Sequence, residues 1–495
     1  MNIERLSPIT HPRLLFVGGA WVTPSTDSTI KVITPSTEKL YVTVAAALGP
    51  DIERAVASAK EAFDTGPWPR MSYAERAGYL REIGKQVAVR SQEMADTWTS
   101  EMGVTSKLAR LATPGFGKVF DYHASLADTF AFEEPRVPSM GGTGLLVREP
   151  VGVVAAIVAW NAPYAFIAWK LAPALLAGCT VILKVSPEAP SAGYMMAEIF
   201  EAAGLPKGVV NMVAADREAS ELLVRHPSVD KVTFTGSSAA GKRIASICGG
   251  RLARCSLELG GKSAAIICDD YDVEIAARTL SQGTRAMTGQ FCASLTRVIV
   301  SRERHDHLLE AMNATFSAIR VGDPFDFEID MGPLATCRQR ERVENFIARG
   351  KAEGARVAVG GHRPAHLDRG YYLEPTVFGN VSNCMTIARE EIFGPVVSVI
   401  PADSPEHAID IANDSVFGLN ASVFTNDNEQ AYRIARKIRS GTVGQNGSKT
   451  DFYMAFGGFK ESGIGREGGT EGLLSFLETK TLILDGPPSH LLSVK

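Results

Sequence analysis

The feature that most constrains this chain is a run of short apolar segments alternating with helical ones between residues 151 and 237. VGVVAAIVAW (151–160) is continuous and rich in Val and Ile, the pattern of a strand buried on both faces. A helix is predicted over 163–178, ending at Gly178, followed by the strand TVILK (180–184) and a helix over 191–203 that Gly204 closes. GVVNMV (208–213), a helix near 218–226 and KVTFTGS (231–237) extend the alternation. This order predicts a parallel sheet covered on both faces. A second run begins just after Gly261, with a strand SAAIICD (263–269), a helix over 273–287, a strand TRVIVS (296–301) and a helix over 304–319. Upstream, 51–65 and 73–103 have helical spacing. GLLVR (144–148) and KTLIL (480–484) belong to neither run and read as strands at a domain end, placed to pair with another subunit or to fold back locally.

The 495 residues suit about three domains or two large ones. Hydrophobic residues at 45% and charged residues at 21% are those of a folded chain rather than a disordered one. With 51 Lys and Arg against 55 Asp and Glu, no basic surplus points to nucleic acid or an anionic membrane. The longest apolar run, 151–160, stops at Asn161 and Pro163, well short of the about 20 residues a membrane span needs. The N-terminus MNIERLSPITHPR has charges and no apolar core, unlike a secretory signal. Seven cysteines, an odd number with no CxxC pair, predict neither a disulfide framework nor a zinc site, and a cytoplasmic setting with reduced thiols is expected.

Six of the cysteines fall in apolar helix-like or strand-like stretches, where small buried thiols are common. Cys292 differs: it sits in TGQFCAS, on a loop between a helix and a strand, where a nucleophile can be presented to a cleft. Glu258, in LELGGKS, ends an apolar strand ahead of Gly260, Gly261 and Lys262. Read alone it is more simply an ion-pair partner of Lys262 than a buried base. Glu391, in REEIFGPV, is equally ambiguous between surface and site. FTGSSAAG places Gly236 at a strand end and Gly241 within the next helix, suiting either a phosphate-binding helix N-terminus or tight strand-to-helix packing. It is neither GxGxxG nor a Walker loop, because Arg243 follows Gly241 and Lys242. His305 and His307 point to different faces of a helix, and no HExxH, metal set or GxSxG occurs.

Together, AWN (159–161), Lys184, FTGS (234–237), LELGGK (257–262), GQFC (289–292), EEIFGPV (390–396) and FGGFKESGIGRE (456–467) resemble the NAD(P)-dependent aldehyde dehydrogenase superfamily over about 15–484. The 34 residues from Glu258 to Cys292 fit that family's spacing of base and nucleophile. The resemblance implies an α/β fold with a Rossmann-like cofactor-binding domain (1–133 and 150–260), a second α/β catalytic domain (261–460) and a small β oligomerisation extension (134–149 and 461–495). It implies that the Cys292 thiolate attacks an aldehyde to give a thiohemiacetal and then a thioester. Asn161 and the Cys292 N–H would hold the oxyanion, Glu258 would activate the hydrolytic water, and Lys170 and Glu467 would form an auxiliary proton relay. Trp160 would line the nicotinamide end, Lys184 would meet the adenine ribose, and Gly236, Ser237 and Gly241 would carry the pyrophosphate. Glu391 would hold the nicotinamide ribose near Gln339 and Arg342, and Leu259 and Phe393 would complete the cofactor set.

Many NAD-preferring relatives have a glutamate three residues after the lysine; here Pro187 stands there, with Glu188 one place on. NAD is the expected cofactor, with NADP left open. The substrate tunnel maps to Ala162, Phe166, Trp169, Phe291 and Phe456, with Phe452 and Tyr453 on a nearby loop (447–455) shorter than in common relatives. This aromatic, uncharged wall implies an apolar aliphatic, aromatic or terpenoid aldehyde, each buried CH2 contributing about 0.8 kcal/mol. No metal is implied, and a homo-dimer or homo-tetramer is. A CoA-acylating relative is the competing enzyme reading, disfavoured by the presence of Glu258. A scaffold role need not keep Cys292, Glu258 and Asn161 together.

Overall fold

The computed structural model describes residues 6–489; the outermost ends of the expected first and last segments, 1–5 and 490–495, lie outside the described residues. Two large sheets organise the chain. The first has eight strands, in the order Ala20–Val22, Leu15–Val17, Val210–Ala214, Thr180–Val185, Val153–Ile157, Lys231–Thr235, Arg254–Glu258 and Gly463–Ile464. Its five central strands are parallel. The chain builds this sheet outward from Val153–Ile157 in one direction, then returns to its other side with Lys231–Thr235. That reversal leaves a crevice at the carboxyl ends of these two neighbours, where open α/β sheets take ligands.

The continuous apolar character of these strands has a direct structural reason. Val154 and Ala156 pack into one layer beneath helix Pro163–Ala177, while Val153, Ala155 and Ile157 face a second layer with helix Gly49–Asp64. Both faces are buried, so no polar alternation survives. The helix Pro163–Ala177 starts on proline and ends at Gly178 in a left-handed cap.

The second sheet has seven strands, ordered Arg356–Val359, Thr376–Gly379, Val396–Ala402, Leu295–Ser301, Ser263–Ile267, Asn420–Phe424 and Thr442–Gln445. It too lies between two apolar layers, with Ala264 and Ile266 in one and Ala265 and Ile267 in the other. Glu258 closes a first-sheet strand and Ser263 opens a second-sheet strand, so the amino edge of one sheet meets the carboxyl edge of the other across four residues.

Several expectations change in detail. The stretch 73–103 is two helices, Tyr73–Val89 and Ser91–Met102, bent at Arg90, whose guanidinium bonds Glu93 (2.8 Å) and Glu198 (2.6 Å). The helix expected to reach Met287 stops at Arg285, because Met287 and Thr288 take left-handed φ of 50° and 55°. Thr143–Pro150 and Leu477–Leu484 pair with each other antiparallel over eight residues, joined by a third strand, Glu133–Arg136. Two cysteines leave the expected apolar surroundings: Cys384 is exposed and Cys337 is half-exposed at a helix start. No helix among the described residues is long and apolar enough to cross a membrane, and none of their His, Cys, Asp and Glu groups could hold a metal ion.

Candidate active site

A cavity of about 480 Å³ opens where the two sheets meet, walled by Trp160, Asn161, Phe166, Gly236, Ser237, Glu258, Leu259, Cys292, Gln339, Arg342, Glu391 and Phe393. Phe166 comes from helix Pro163–Ala177 and Gln339 and Arg342 from helix Cys337–Ala352, and the other side chains arrive from strand ends or adjoining loops. Trp160 and Asn161 follow Val153–Ile157, Gly236 and Ser237 follow Lys231–Thr235, and Glu258 ends its own strand. Cys292 precedes Leu295–Ser301, and it is the one cysteine of the seven on this wall. The glycine pair after Glu258 is there for close approach. A Cβ on Gly260 would collide with the Glu391 carboxylate and one on Gly261 with the Cys292 carbonyl.

Asn161 is buried, and its Nδ2 donates to the Gln290 carbonyl at 3.0 Å, two residues before Cys292. Its second N–H remains for a ligand. Trp98 Nε1 donates to the Asn161 carbonyl at 2.9 Å, and the Ala335 N–H donates to Gln290 Oε1 at 3.0 Å, so the asparagine and the cysteine loop are braced together. Nothing in the sequence marks Gln290 for this role, since its partners lie more than forty residues away. Burial pushes the Cys292 thiol up to about 12, with the nearby Glu391 and Glu258 adding to the rise and the backbone N–H groups of Cys292 and Ala293 opposing it.

Glu258 makes no ion pair with Lys262, contrary to the simpler sequence reading. Both its carboxylate oxygens and the Lys262 Nζ are buried without a hydrogen-bond partner. The two leave the strand end in different directions: Lys262 lines a small gap beside Arg297, whereas Glu258 faces the cavity. Burial drives the Lys262 ammonium down to about 7. Burial, then the Glu467 carboxylate, holds Glu258 well above the usual carboxylate range, against the pull of Lys170 and Arg466. The backbone at Gly457 backs the carboxylate so closely that a Cβ there would stand 2.7 Å from Oε1. Lys170 and Glu467 form a fully buried ion pair behind the cavity wall, and Thr233 Oγ1 lies 3.3 Å from Lys170 Nζ.

The other predicted residues divide into two groups. Gln339 and Arg342 reach the wall, but their donors are committed to the Glu391–Phe393 turn. Gln339 Nε2 donates to the carbonyls of Ile392 (3.2 Å) and Phe393 (2.6 Å), and Arg342 donates to that of Glu391 (2.6 Å). The Glu391 carboxylate accepts from the Gly261 N–H at 2.9 Å and is pushed up to about 7 by burial. Trp160 meets Phe393 edge-on at 5.5 Å. Of the tunnel set, Phe166 is on this wall, whereas Ala162, Trp169, Phe291 and Phe456 are not. Trp169 and Phe456 pack edge-to-face at 5.3 Å. Phe452 and Tyr453 gather around Tyr122, which the sequence reading missed because it lies on the distant helix Ser106–Thr129.

A second cavity of about 710 Å³ adjoins the first, sharing Arg217, Ser237 and Arg338 with it. Its floor is apolar, with Ile157, Val224, Phe234, Ile244 and Ile247, and its rim carries Lys184, Pro187 and Glu188. Ser237 caps helix Ser238–Gly250, so the amino end of that helix faces both cavities. Gly241, on its first turn, lets the helix settle on Leu259.

A sequence profile of the aldehyde dehydrogenase family matches residues 21–482. The geranial dehydrogenase of Castellaniella defragrans is 41% identical, the match covering 95% of this chain and 98% of the relative. The 3-succinoylsemialdehyde-pyridine dehydrogenase of a Pseudomonas species is 40% identical over the same shares of both chains. Among solved structures, an aldehyde dehydrogenase of Mycobacterium tuberculosis complexed with NAD+ superposes with a TM-score of 0.94 at 43% identity, covering 96% of this chain and 99% of that one. Aldehyde dehydrogenase C of Pseudomonas syringae, with NAD+ and octanal, also reaches 0.94, at 36% identity over 99% of this chain and all of the other. With agreement of this extent across both sheets and the cavity between them, the chain belongs to the aldehyde dehydrogenase family and is an NAD(P)-dependent aldehyde dehydrogenase.

Proposed function

We propose that the chain oxidises an apolar aldehyde to its carboxylic acid with NAD+, using Cys292 as nucleophile, Asn161 as oxyanion donor and Glu258 as base. The observation that carries this is the meeting of these three side chains on one cavity wall, with Asn161 tied to the loop that presents Cys292. The adjoining cavity suits a dinucleotide: an apolar slot for a planar base, the amino end of helix Ser238–Gly250 for a pyrophosphate, and Glu391 at the nicotinamide end. Lys184, Ser237, Trp160 and Glu391 are the residues that would hold it.

In this reading the buried Cys292 thiol gives its proton to ionised Glu258 as its sulfur bonds to the carbonyl carbon. The carbonyl oxygen becomes an oxyanion that accepts from Asn161 Nδ2 and the Cys292 N–H. The bound nicotinamide supplies the acceptor for the hydride that leaves this carbon, so that Cys292 carries a thioester. Once the Cys292 proton has passed from Glu258 to solvent, Glu258 takes a proton from water as the water oxygen attacks the thioester; the C–S bond breaks, the Cys292 thiolate takes the proton of the acid product, and the carboxylate departs. Lys170 and Glu467 sit behind Glu258 and set the charge it feels.

Phe166 on the cavity wall, Trp169 on the same helix packed against Phe456, and the Tyr122, Phe452, Tyr453 group support an aliphatic, aromatic or terpenoid substrate. Relatives named for geranial, and solved with octanal, point the same way. The Rossmann-like, catalytic and oligomerisation segments expected at 1–133 with 150–260, 261–460, and 134–149 with 461–495 are part of this proposal. So are a homo-dimer or homo-tetramer and a cytoplasmic setting, the latter supported by seven free cysteines. The test is NADH formation with a panel of aldehydes. Long aliphatic, aromatic and terpenoid aldehydes should outrun carboxylated ones by about tenfold or more in kcat/KM. Cys292→Ala should abolish turnover while leaving cofactor binding measurable, and retained turnover in that variant would sink the reading.

A further inference from the structure

The loop that carries Cys292 is held on both sides by an asparagine, one from each sheet. Two residues before Cys292, the Gln290 carbonyl accepts from Asn161 Nδ2. One residue after it, the Ala293 carbonyl accepts from Asn420 Nδ2 at 2.9 Å. Asn420 opens strand Asn420–Phe424 of the second sheet and is 2% exposed. Its Nδ2 also donates to Ser448 Oγ at 3.0 Å, and Ser448 Oγ donates in turn to the same Ala293 carbonyl at 3.4 Å, so three groups close a small ring. Ser422, two residues along on the same face of the strand, accepts from the Gly447 N–H at 3.0 Å. The start of loop 447–455, which carries Phe452 and Tyr453, is thereby fastened to the strand that holds the Cys292 loop.

The Asn420 amide fits in one sense only. Both of its N–H groups are committed, and turning it over would set Oδ1 against the Ala293 carbonyl, acceptor to acceptor. Ala264 and Ala421 are register neighbours packed in one layer, so Ser263 and Asn420, one residue earlier in each strand, share the opposite face. The Ser263 hydroxyl and Asn420 Oδ1 are both buried without a hydrogen-bond partner, and a hydroxyl on that side favours the acceptor end of the amide there. Without Asn420 the buried Ala293 carbonyl would lose its amide donor. The backbone N–H groups of Cys292 and Ala293 act on the Cys292 thiol, so a shift of Ala293 reaches the sulfur directly.

Resting on the reading of Cys292 as nucleophile, we propose that Asn420 is a positioning residue, which pins the Cys292 loop from the second sheet and couples it through Ser448 to the loop beside the substrate approach. A substrate that settles against Phe452 and Tyr453 then acts on the same hydrogen-bonded ring that sets Cys292. The two asparagines differ in duty, since Asn161 keeps an N–H for the oxyanion whereas Asn420 keeps none.

The test makes two measurements on the full chain: kcat and KM with NAD+ and octanal, and the rate at which iodoacetamide alkylates Cys292, read by peptide mapping. Asn420→Leu keeps the shape of the side chain and removes both donors. It should lower kcat about tenfold and slow alkylation about threefold, with KM for NAD+ within about twofold of its original value. Asn420→Ser keeps one donor and serves alone should the leucine variant not fold; its kcat is expected about threefold below that of the unaltered protein. Ser448→Ala, at an exposed position, should raise KM for octanal by a larger factor than it lowers kcat. A lower denaturant midpoint with kcat and alkylation unchanged would make Asn420 structural only and overturn the proposal. An unmoved KM for octanal in Ser448→Ala would overturn the coupling. Absence of aldehyde turnover in the unaltered protein would count against the nucleophile reading, and the alkylation rates would still decide whether Asn420 sets Cys292.

Discussion

Burial moves the two side chains proposed to react in the same direction: the Cys292 thiol up to about 12, and the Glu258 carboxyl well above the usual carboxylate range. Both therefore rest protonated near neutrality, and the ionised fraction of Glu258 grows as pH rises. The rate of acid formation should climb through the neutral and alkaline range. Glu467 is the largest charged contribution to that rise, so Glu467→Gln removes a like charge and also leaves Lys170 unopposed. Both changes lower the pKa of Glu258. The ascending limb of the pH–rate profile should shift to lower pH by about one unit, and an unmoved limb would show that Glu258 does not set it. Cys292 and Glu258 stood out in the sequence only through the family resemblance, because a loop cysteine or a strand-end carboxylate read alone is as well explained by packing or an ion pair. The pairing of Glu258 was not legible, because Lys262 is near in sequence yet turns away into the gap beside Arg297. The Gln339 amide, bound to the Ile392 and Phe393 carbonyls, was equally hidden.

Among the elements, the turn Ala286–Gly289 fixes where Cys292 stands. Met287, Thr288 and Gly289 are consecutively left-handed, with φ of 50°, 55° and 68°, which ends the preceding helix and throws the chain toward the cavity. A Cβ on Gly289 would collide with the Gly394 carbonyl in the turn that carries Glu391 and Phe393. Gly289→Ala should lower kcat at least about tenfold and stability by about 1–3 kcal/mol; stopped-flow kinetics and denaturant titration measure the two. The core strands were readable from their Val and Ile runs, because a strand buried on both faces has little freedom in composition. Glu133–Arg136 was not readable: EEPR has no apolar alternation, and its proline suits only an edge position. Its pairing is decided by Thr143–Pro150, which lies between it and Leu477–Leu484.

At the scale of the whole molecule, function follows from how two sheets are set edge to edge. The switch point of the first sheet supplies Asn161, Ser237 and Glu258, and the amino edge of the second supplies Cys292. The acid–base chemistry and the cofactor slot proposed above therefore share one cleft, which Glu258 and Cys292 enter from different sheets. The most direct test of this division of labour uses Glu258→Gln with NAD+ and octanal, following NADH by rapid mixing and the protein by intact mass and peptide mapping. A burst of about one NADH per site, slow turnover afterwards and an octanoyl adduct on Cys292 are expected. Full steady-state turnover with no adduct, or an adduct on any other residue, would contradict that division.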